Sequence, residues 1–218
     1  MEDKIKKFYE KSSDLFKKRI GKPTLDNKIH FGEVAKHIKK GKVLDVGCRY
    51  GEAFFFLKDK GIEYVGLDIS ENGAEIARKQ TGCKIYTGNA LKMPFKDKTF
   101  DYVFLCELIE HMASPLDLLE ECKRVVKSGG LIIGTTPNPN SFVRNLASII
   151  NYWNWQTDPG HLQTFSKPEI ENLAKITDLK LVLLKTLYFN LPKIKHDFSF
   201  LLKFFPFLGN SLFFVMKK

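Results

Sequence analysis

The hexapeptide CELIEH, residues 106–111, sets Glu107, Glu110 and His111 at spacing i, i+3, i+4 directly after the apolar run FDYVFL. Three ionisable groups at the exit of a buried strand are costly for a core to tolerate, and they suit proton transfer or metal binding. Where a strand passes into a helical turn, positions three and four apart are neighbours, so the three side chains can share one face. A second imidazole, His161 in DPGHLQTF, can close over the same spot. Two carboxylates and two imidazoles make a mixed O/N set for Mg²⁺, Mn²⁺ or Zn²⁺. Plainer roles compete: Glu110 as a cap of the next helix, His111 as a hydrogen-bonded histidine or a general base.

A second group of residues reads as a ligand loop. VLDVGCRYG holds Gly47 and Gly51 between a strand and a helix. Gly47 permits a sharp turn with positive φ, and Gly51 lets the helix start lie close to a ligand. Unpaired N–H groups at that helix start suit a carboxylate or phosphate. The loop lacks the GxGxxG of a dinucleotide site. Asp68 follows Gly47 by 21 residues, at a strand end, where one carboxylate can accept both hydroxyls of a ribose. Its plainer role is a cap of the helix that follows.

The elements that must position these residues are legible in the periodicity. Residues 2–20 and 25–40 carry helical patterns, the second ended by Gly41. Strands are expected over 42–47, 62–68, 84–89, 99–106 and 129–137. Between them lie helices from Gly51 to Lys60, from Glu71 to Gln80, and over 114–127 with Pro115 in its first turn. Such alternation predicts βαβ units and a parallel sheet covered on both faces, with ligands at the carboxyl ends of the strands. All the polar residues named above fall at strand exits. The long connection 140–165, with Tyr152, Trp153 and Trp155, either shapes an acceptor pocket or pads the sheet.

Length and composition bound the remaining choices. The 218 residues suffice for one domain with a proper core. Residues 1–42 carry 13 Lys/Arg against 6 Asp/Glu and residues 175–218 carry 8 against 2, flanking a slightly acidic middle. That surround attracts nucleic acid, anionic lipid or a phosphorylated substrate, or is simply a solvated lysine-rich surface. The 4 cysteines lack CxxC spacing and read as reduced thiols of a cytoplasmic protein. MEDKIKKFYEKSS has no apolar core of a signal peptide. FSFLLKFFPFLGNSLFFVM (198–216) is apolar, but Pro206 and Gly209–Ser211 break it, so no membrane span is expected. Its upstream part can bury an acyl or prenyl chain, or make peripheral membrane contact.

Taken in order, VLDVGCRYG, the acid of YVGLDIS, GNALKMPF, FDYVFLCELIEH and VVKSGGLIIGTTPN resemble the class I S-adenosylmethionine-dependent methyltransferases. Among these, the ubiquinone-biosynthesis-like small-molecule enzymes match well over about residues 40–137, and HLQTFSKPEIENLAKITDL (161–179) is similar to a later segment of that group. The resemblance implies a doubly wound, Rossmann-like α/β fold. Its seven-stranded sheet would be mostly parallel, with the last strand, SLFFVMKK, antiparallel. Residues 1–40 would form an N-terminal helical lid and 41–218 the methyltransferase domain.

The resemblance also implies S-adenosyl-L-methionine as cofactor. Asp45, Gly47, Cys48, Arg49 and Gly51 would cradle its methionine end, Asp68 its ribose, and Ile69, Asn89 and Ala90 its adenine. Leu105, Cys106 and Glu107 would lie beneath its amino group. A divalent cation at ExxEH, held by Glu107, Glu110, His111 and His161, is implied by the ubiquinone-type enzymes. Two positions depart from the family: Arg49 stands where glycine is usual, and Asn89 replaces an aspartate with a weaker, uncharged acceptor. The implied activity is methylation of a hydroxyl on a small or lipid- or glycan-linked acceptor. The competing readings are an RNA methyltransferase, disfavoured because no RNA-binding module is visible, and a cofactor-binding but inactive partner subunit.

Overall fold

The computed structural model of the chain describes residues 7, 10, 24–149, 160–189 and 198–218. The helix expected over 2–20 (Lys7 and Glu10 apart), Tyr152, Trp153 and Trp155, and residues 190–197 of the C-terminal apolar stretch lie outside the described residues. Seven strands form one sheet: β1 (Gly41–Val46), β2 (Ile62–Asp68), β3 (Lys84–Thr87), β4 (Phe100–Cys106), β5 (Val126–Pro137), β6 (Lys180–Leu187) and β7 (Ser211–Lys217). Their order is β3-β2-β1-β4-β5-β7-β6. The pairs β1–β2, β1–β4, β2–β3 and β4–β5 are parallel, and β7 runs antiparallel between β5 and β6. The expected sheet is therefore present. Strand order reverses between β1 and β4, which puts the exits of these two strands at the ligand crevice.

Among the described residues six helical segments cover it: α1 (Leu25–His37), α2 (Phe54–Leu57), α3 (Glu71–Thr81), α4 (Pro115–Val125), α5 (Phe142–Ile149) and α6 (Lys167–Ile176). Their ends follow local chemistry. Ser70 Oγ caps α3 by accepting from Gly73 N–H at 3.0 Å, and Gly82, at φ 67°, closes it. Ser114 caps α4 ahead of Pro115, and Ser166 and Glu169 form a capping box on α6. The helix expected from Gly51 to Lys60 is shorter. α2 has four residues and no side-chain cap, and a 3-10 turn, Lys58–Lys60, leads it into the left-handed Gly61.

The period of two along the strands sorts side chains between the two faces. Leu44, Val46, Val103, Leu105 and Ile132 pack with Leu118, Leu119 and Cys122 of α4 and Ile170 and Leu173 of α6. Val43, Tyr64, Phe104, Ile133 and Phe213 pack on the other face with Val34 and Ala35 of α1, Leu57 of α2 and Ala74 and Ala77 of α3. Each fully buried large aliphatic or aromatic side chain contributes ~1.5–3 kcal/mol. Of the segment expected as a lid, α1 thus lays a buried face on the sheet core. No helix among the described residues is long and apolar enough to cross a membrane.

Candidate functional site

At the exit of β1 the chain turns at Gly47 (φ 74°), whose N–H donates to Leu67 O at 2.8 Å. Arg49 is also left-handed, at φ 48°, a conformation that costs a non-glycine residue ~1–2 kcal/mol. Asp68 holds it there. Its Oδ2 accepts from Arg49 N–H at 2.7 Å and its Oδ1 from Ser70 N–H at 2.9 Å. One carboxylate therefore fastens the loop after β1 to the loop after β2. Each oxygen keeps acceptor capacity for a further donor. Burial raises the Asp68 pKa, against the pull of those two N–H bonds and of Arg49.

Gly51 is also at φ 74°. A Cβ there would meet Thr81 Cγ2 at 2.7 Å and Ala77 Cβ at 3.3 Å, so its small size admits the close approach of α3. The Arg49 guanidinium is exposed and lies over the Tyr50 ring, 5.1 Å from its centroid. Asp45, only 4 % exposed, accepts a hydrogen bond from the Tyr64 hydroxyl. Burial pushes its pKa up to about 8, opposed by that bond and assisted by the charges of Asp68 and Glu52.

Two of the residues expected at the cofactor, Cys48 and Leu105, have side chains buried in the core. The Cys48 thiol points into the sheet, with Sγ 2.7 Å from where a Cβ on Gly66 would sit, and burial holds its pKa well above the ordinary thiol value. Leu105 is wholly buried in the core. Ala90 packs against that core, and Ile69 is half-buried beside Asp68. The Asn89 side-chain oxygen accepts from Leu91 N–H at 2.9 Å, so it shapes its own turn. Glu10 accepts from Glu71 N–H at 2.8 Å and from Ser70 Oγ at 3.2 Å, placing one N-terminal residue at the start of α3.

The exit of β4 is built otherwise. Glu107, following the half-buried Cys106, is left-handed (φ 51°), and its N–H donates to both Thr135 O and Thr135 Oγ1 at 3.1 Å. A 3-10 turn, Ile109–His111, follows. The reversed backbone at Glu107 and the tight turn after it separate the carboxylate from the two residues it was expected to join. Glu107 Oε1 lies 3.9 Å from His30 Nδ1 instead. Among the described residues, the group that could hold a metal ion is Glu110, His111 and His161, each offering one ligand atom within 4.8 Å of the others.

Glu110 is 1 % exposed, and its Oε2 accepts from Thr136 Oγ1 at 3.1 Å. Its carbonyl accepts from Leu162 N–H at 2.9 Å and Gln163 N–H at 3.1 Å, and Gln163 Nε2 donates to Met112 O at 2.8 Å. These bonds strap the segment carrying His161 onto the turn carrying His111. The two imidazoles meet edge to face, with centroids 4.7 Å apart. His161 Nδ1 is buried and has no hydrogen-bond partner among the described residues. A buried carboxylate beside two imidazoles can move a proton or bind a cation.

Three further residues join this half from distant segments. His30, 2 % exposed, has Nε2 3.1 Å from Ser211 Oγ, and its ring meets that of Tyr188 edge-on at 5.5 Å. His30 had a signal in the sequence: with Val34 and Ile38 it makes an i, i+4, i+8 stripe in which it alone is polar. Tyr188 follows β6 and Ser211 opens β7, and neither carries such a signal.

This strand order with a single antiparallel strand is that of the class I S-adenosylmethionine-dependent methyltransferase fold. Residues 44–134 match the methyltransferase domain family. A ubiquinone biosynthesis O-methyltransferase of Roseobacter denitrificans is 32% identical over 123 residues, covering 52% of this chain and 49% of that protein. A demethylmenaquinone methyltransferase of Lysinibacillus sphaericus is 31% identical over 142 residues, covering 59% and 60%. In these two cases the chain spans between about half and two thirds of the relative's length. Among solved structures, a Thermotoga maritima S-adenosylmethionine-dependent methyltransferase, titled a possible histamine N-methyltransferase, superposes with TM-score 0.73 at 19% identity, covering 98% of this chain and 99% of that one.

Proposed function

We propose that this protein transfers the methyl group of S-adenosylmethionine to a hydroxyl of a small acceptor carried on a lipid or glycan. The observation that carries the reading is the Glu110–His111–His161 cluster at the exit of β4, one strand from the Asp68-fastened loop. The cofactor suits the donor set on that side. Asp68 keeps acceptor capacity for ribose hydroxyls, and buried Asp45 can meet the cofactor's ammonium group. The sulfonium is already activated, so the chain's task is alignment of acceptor oxygen, methyl carbon and sulfur, which in well-oriented systems supplies on the order of 7–11 kcal/mol.

A hydroxyl acceptor must also lose its proton. His111 receives it, with Glu110 and His161 fixing the imidazole and stabilising the cation that forms. A divalent cation on Glu110, His111 and His161 would supply the same acidification by lowering the hydroxyl pKa. Likeness to a ubiquinone biosynthesis O-methyltransferase supports a hydroxyl acceptor. The exposed Phe200, Phe204, Phe205 and Phe207 favour one with an apolar chain, met at a membrane surface.

Incubation with methyl-labelled cofactor and fractionated extract tests the reading. Label is expected in the lipid or small-molecule pool; label in RNA or protein contradicts it. Chelator decides between base and cation: activity that falls with it and returns with added cation assigns the acidification to a metal. Full turnover of metal-stripped protein would leave His111 as the base without metal.

A further inference from the structure

Beyond Tyr188 a cavity of about 640 Å³ opens between α1, the end of β6 and the 3-10 turn Ser199–Lys203. Lys28 and Lys36 of α1, Lys185 of β6, Lys167 at the start of α6 and Lys203 of the turn line it, with Glu33 as the one carboxylate of its lining among the described residues. Glu33 accepts from Lys36 Nζ at 2.7 Å and from Lys185 Nζ at 2.6 Å. Burial would raise its pKa, but these two lysines outweigh that and lower it. Among the described residues Lys28, Lys167 and Lys203 have no carboxylate partner, and one carboxylate cannot neutralise five ammonium groups.

Solvated surface lysines ordinarily spread over convex ground. Here they converge from four separate elements on one concavity. Its floor is apolar, formed by Leu184, Leu187, Leu202 and Pro206. Charges of one sign over low-dielectric walls focus the field into a cleft and favour a counter-ion there. Just outside the lining, on the same turn, the rings of Phe200 and Phe204 are exposed.

We infer that this cavity binds an anionic amphiphile, with a phosphate or carboxylate among the lysines and an aliphatic chain over the apolar floor and the phenylalanines. The cavity adjoins the β4 exit: Tyr188, in its lining, meets His30, and His30 Nδ1 lies 3.9 Å from Glu107 Oε1. The inference rests on the proposed methyltransferase reading for one thing, that the bound anion is the anchoring end of the acceptor. Binding itself does not depend on that reading.

The test is titration of the full chain with decyl phosphate below its micelle threshold, beside inorganic phosphate, decyl maltoside and phosphatidylglycerol vesicles. One saturable site for decyl phosphate is expected, tighter than either partial probe by about tenfold or more and weakening as salt is raised. Competition by the vesicles identifies a lipid headgroup as the source of the anion, and its absence identifies a free phosphate ester. Lys28→Glu with Lys203→Glu should weaken binding by about tenfold or more at unchanged melting temperature. Lys28→Met with Lys203→Met gives the same readout if the reversals perturb folding. Equal binding of decyl maltoside, or undiminished decyl phosphate binding in both double variants, overturns the inference. S-adenosylhomocysteine affinity, measured separately, reports on the methyltransferase reading, so loss of one result leaves the other standing.

Discussion

The two halves of the crevice are built by opposite means. At the exits of β1 and β2, backbone does the work: three left-handed residues, Gly47, Arg49 and Gly51, and one carboxylate, Asp68, that takes an N–H from each loop. At the exit of β4, side chains from distant segments meet: His30 from α1, His161 from beyond α5, Tyr188 after β6 and Ser211 at the start of β7. A site made of backbone geometry tolerates changes of side chain and fails when a conformation is forbidden. A site made of converging side chains fails one group at a time.

The largest expected effect breaks the first half through its backbone. Gly51→Val adds a Cβ 2.7 Å from Thr81 Cγ2 in a left-handed conformation that a β-branched residue resists. We expect a loss of about 3 kcal/mol or more in urea unfolding, because overpacking and strain add. An unchanged midpoint would mean that α3 can move away from the loop.

The contrast between the halves also decides what was legible in the sequence. Gly47, Asp68 and the strand exits lie within short stretches of chain, so alternation and a glycine loop were enough to place them. The reason for Gly51 was not, because it lies in the packing of α3, contacted through Thr81 and Ala77. Arg49 was marked as a departure from glycine, and its φ of 48° shows the conformation that glycine usually serves. The spacing of Glu107, Glu110 and His111 predicts one face of a helical turn. A left-handed residue at Glu107 breaks that face, and sequence spacing carries no sign of φ. The sequence offers His161 as a second imidazole near His111, and the strap through Glu110 O is what seats it there. The alignment of His30 with Glu107 needed the register of α1 on the sheet.

The next effect breaks the second half one group at a time. Glu110→Ala removes the carboxylate beside the two imidazoles and leaves Thr136 Oγ1 without that acceptor. Methyl transfer should fall by about a hundredfold, or ~2.7 kcal/mol, while S-adenosylhomocysteine affinity stays within about twofold. Equal losses in both measurements would mean that Glu110 supports the fold of the whole crevice.

Asp45 sharpens the comparison through pH. Its folded pKa of about 8 lies above the ordinary 3.8, so the folded chain holds a proton that the unfolded chain releases first. That contribution to stability is full below the ordinary value and is lost as pH rises through about 8. Cofactor binding runs the other way. The cofactor's ammonium group favours the carboxylate, so binding releases a proton, and affinity should rise toward pH 8 by up to about tenfold per pH unit. Calorimetry in buffers of different ionisation enthalpy measures the proton directly. Affinity independent of pH across that range would place Asp45 out of reach of the cofactor.

The smallest effect is a gain. Arg49→Gly relieves a left-handed residue whose guanidinium is exposed, and should stabilise the fold by ~1 kcal/mol with cofactor affinity retained. A large loss of affinity would show that the arginine grips the cofactor.

The central claim is that the Asp68-fastened loop is the cofactor site, and titration of S-adenosylhomocysteine into wild-type and Asp68→Ala protein tests it most directly. Removing two charge-assisted contacts to the ribose, each ~1.5–3 kcal/mol, predicts at least about a hundredfold weaker binding, with no measurable affinity of either protein for a nicotinamide dinucleotide. Unchanged affinity in Asp68→Ala would contradict the account.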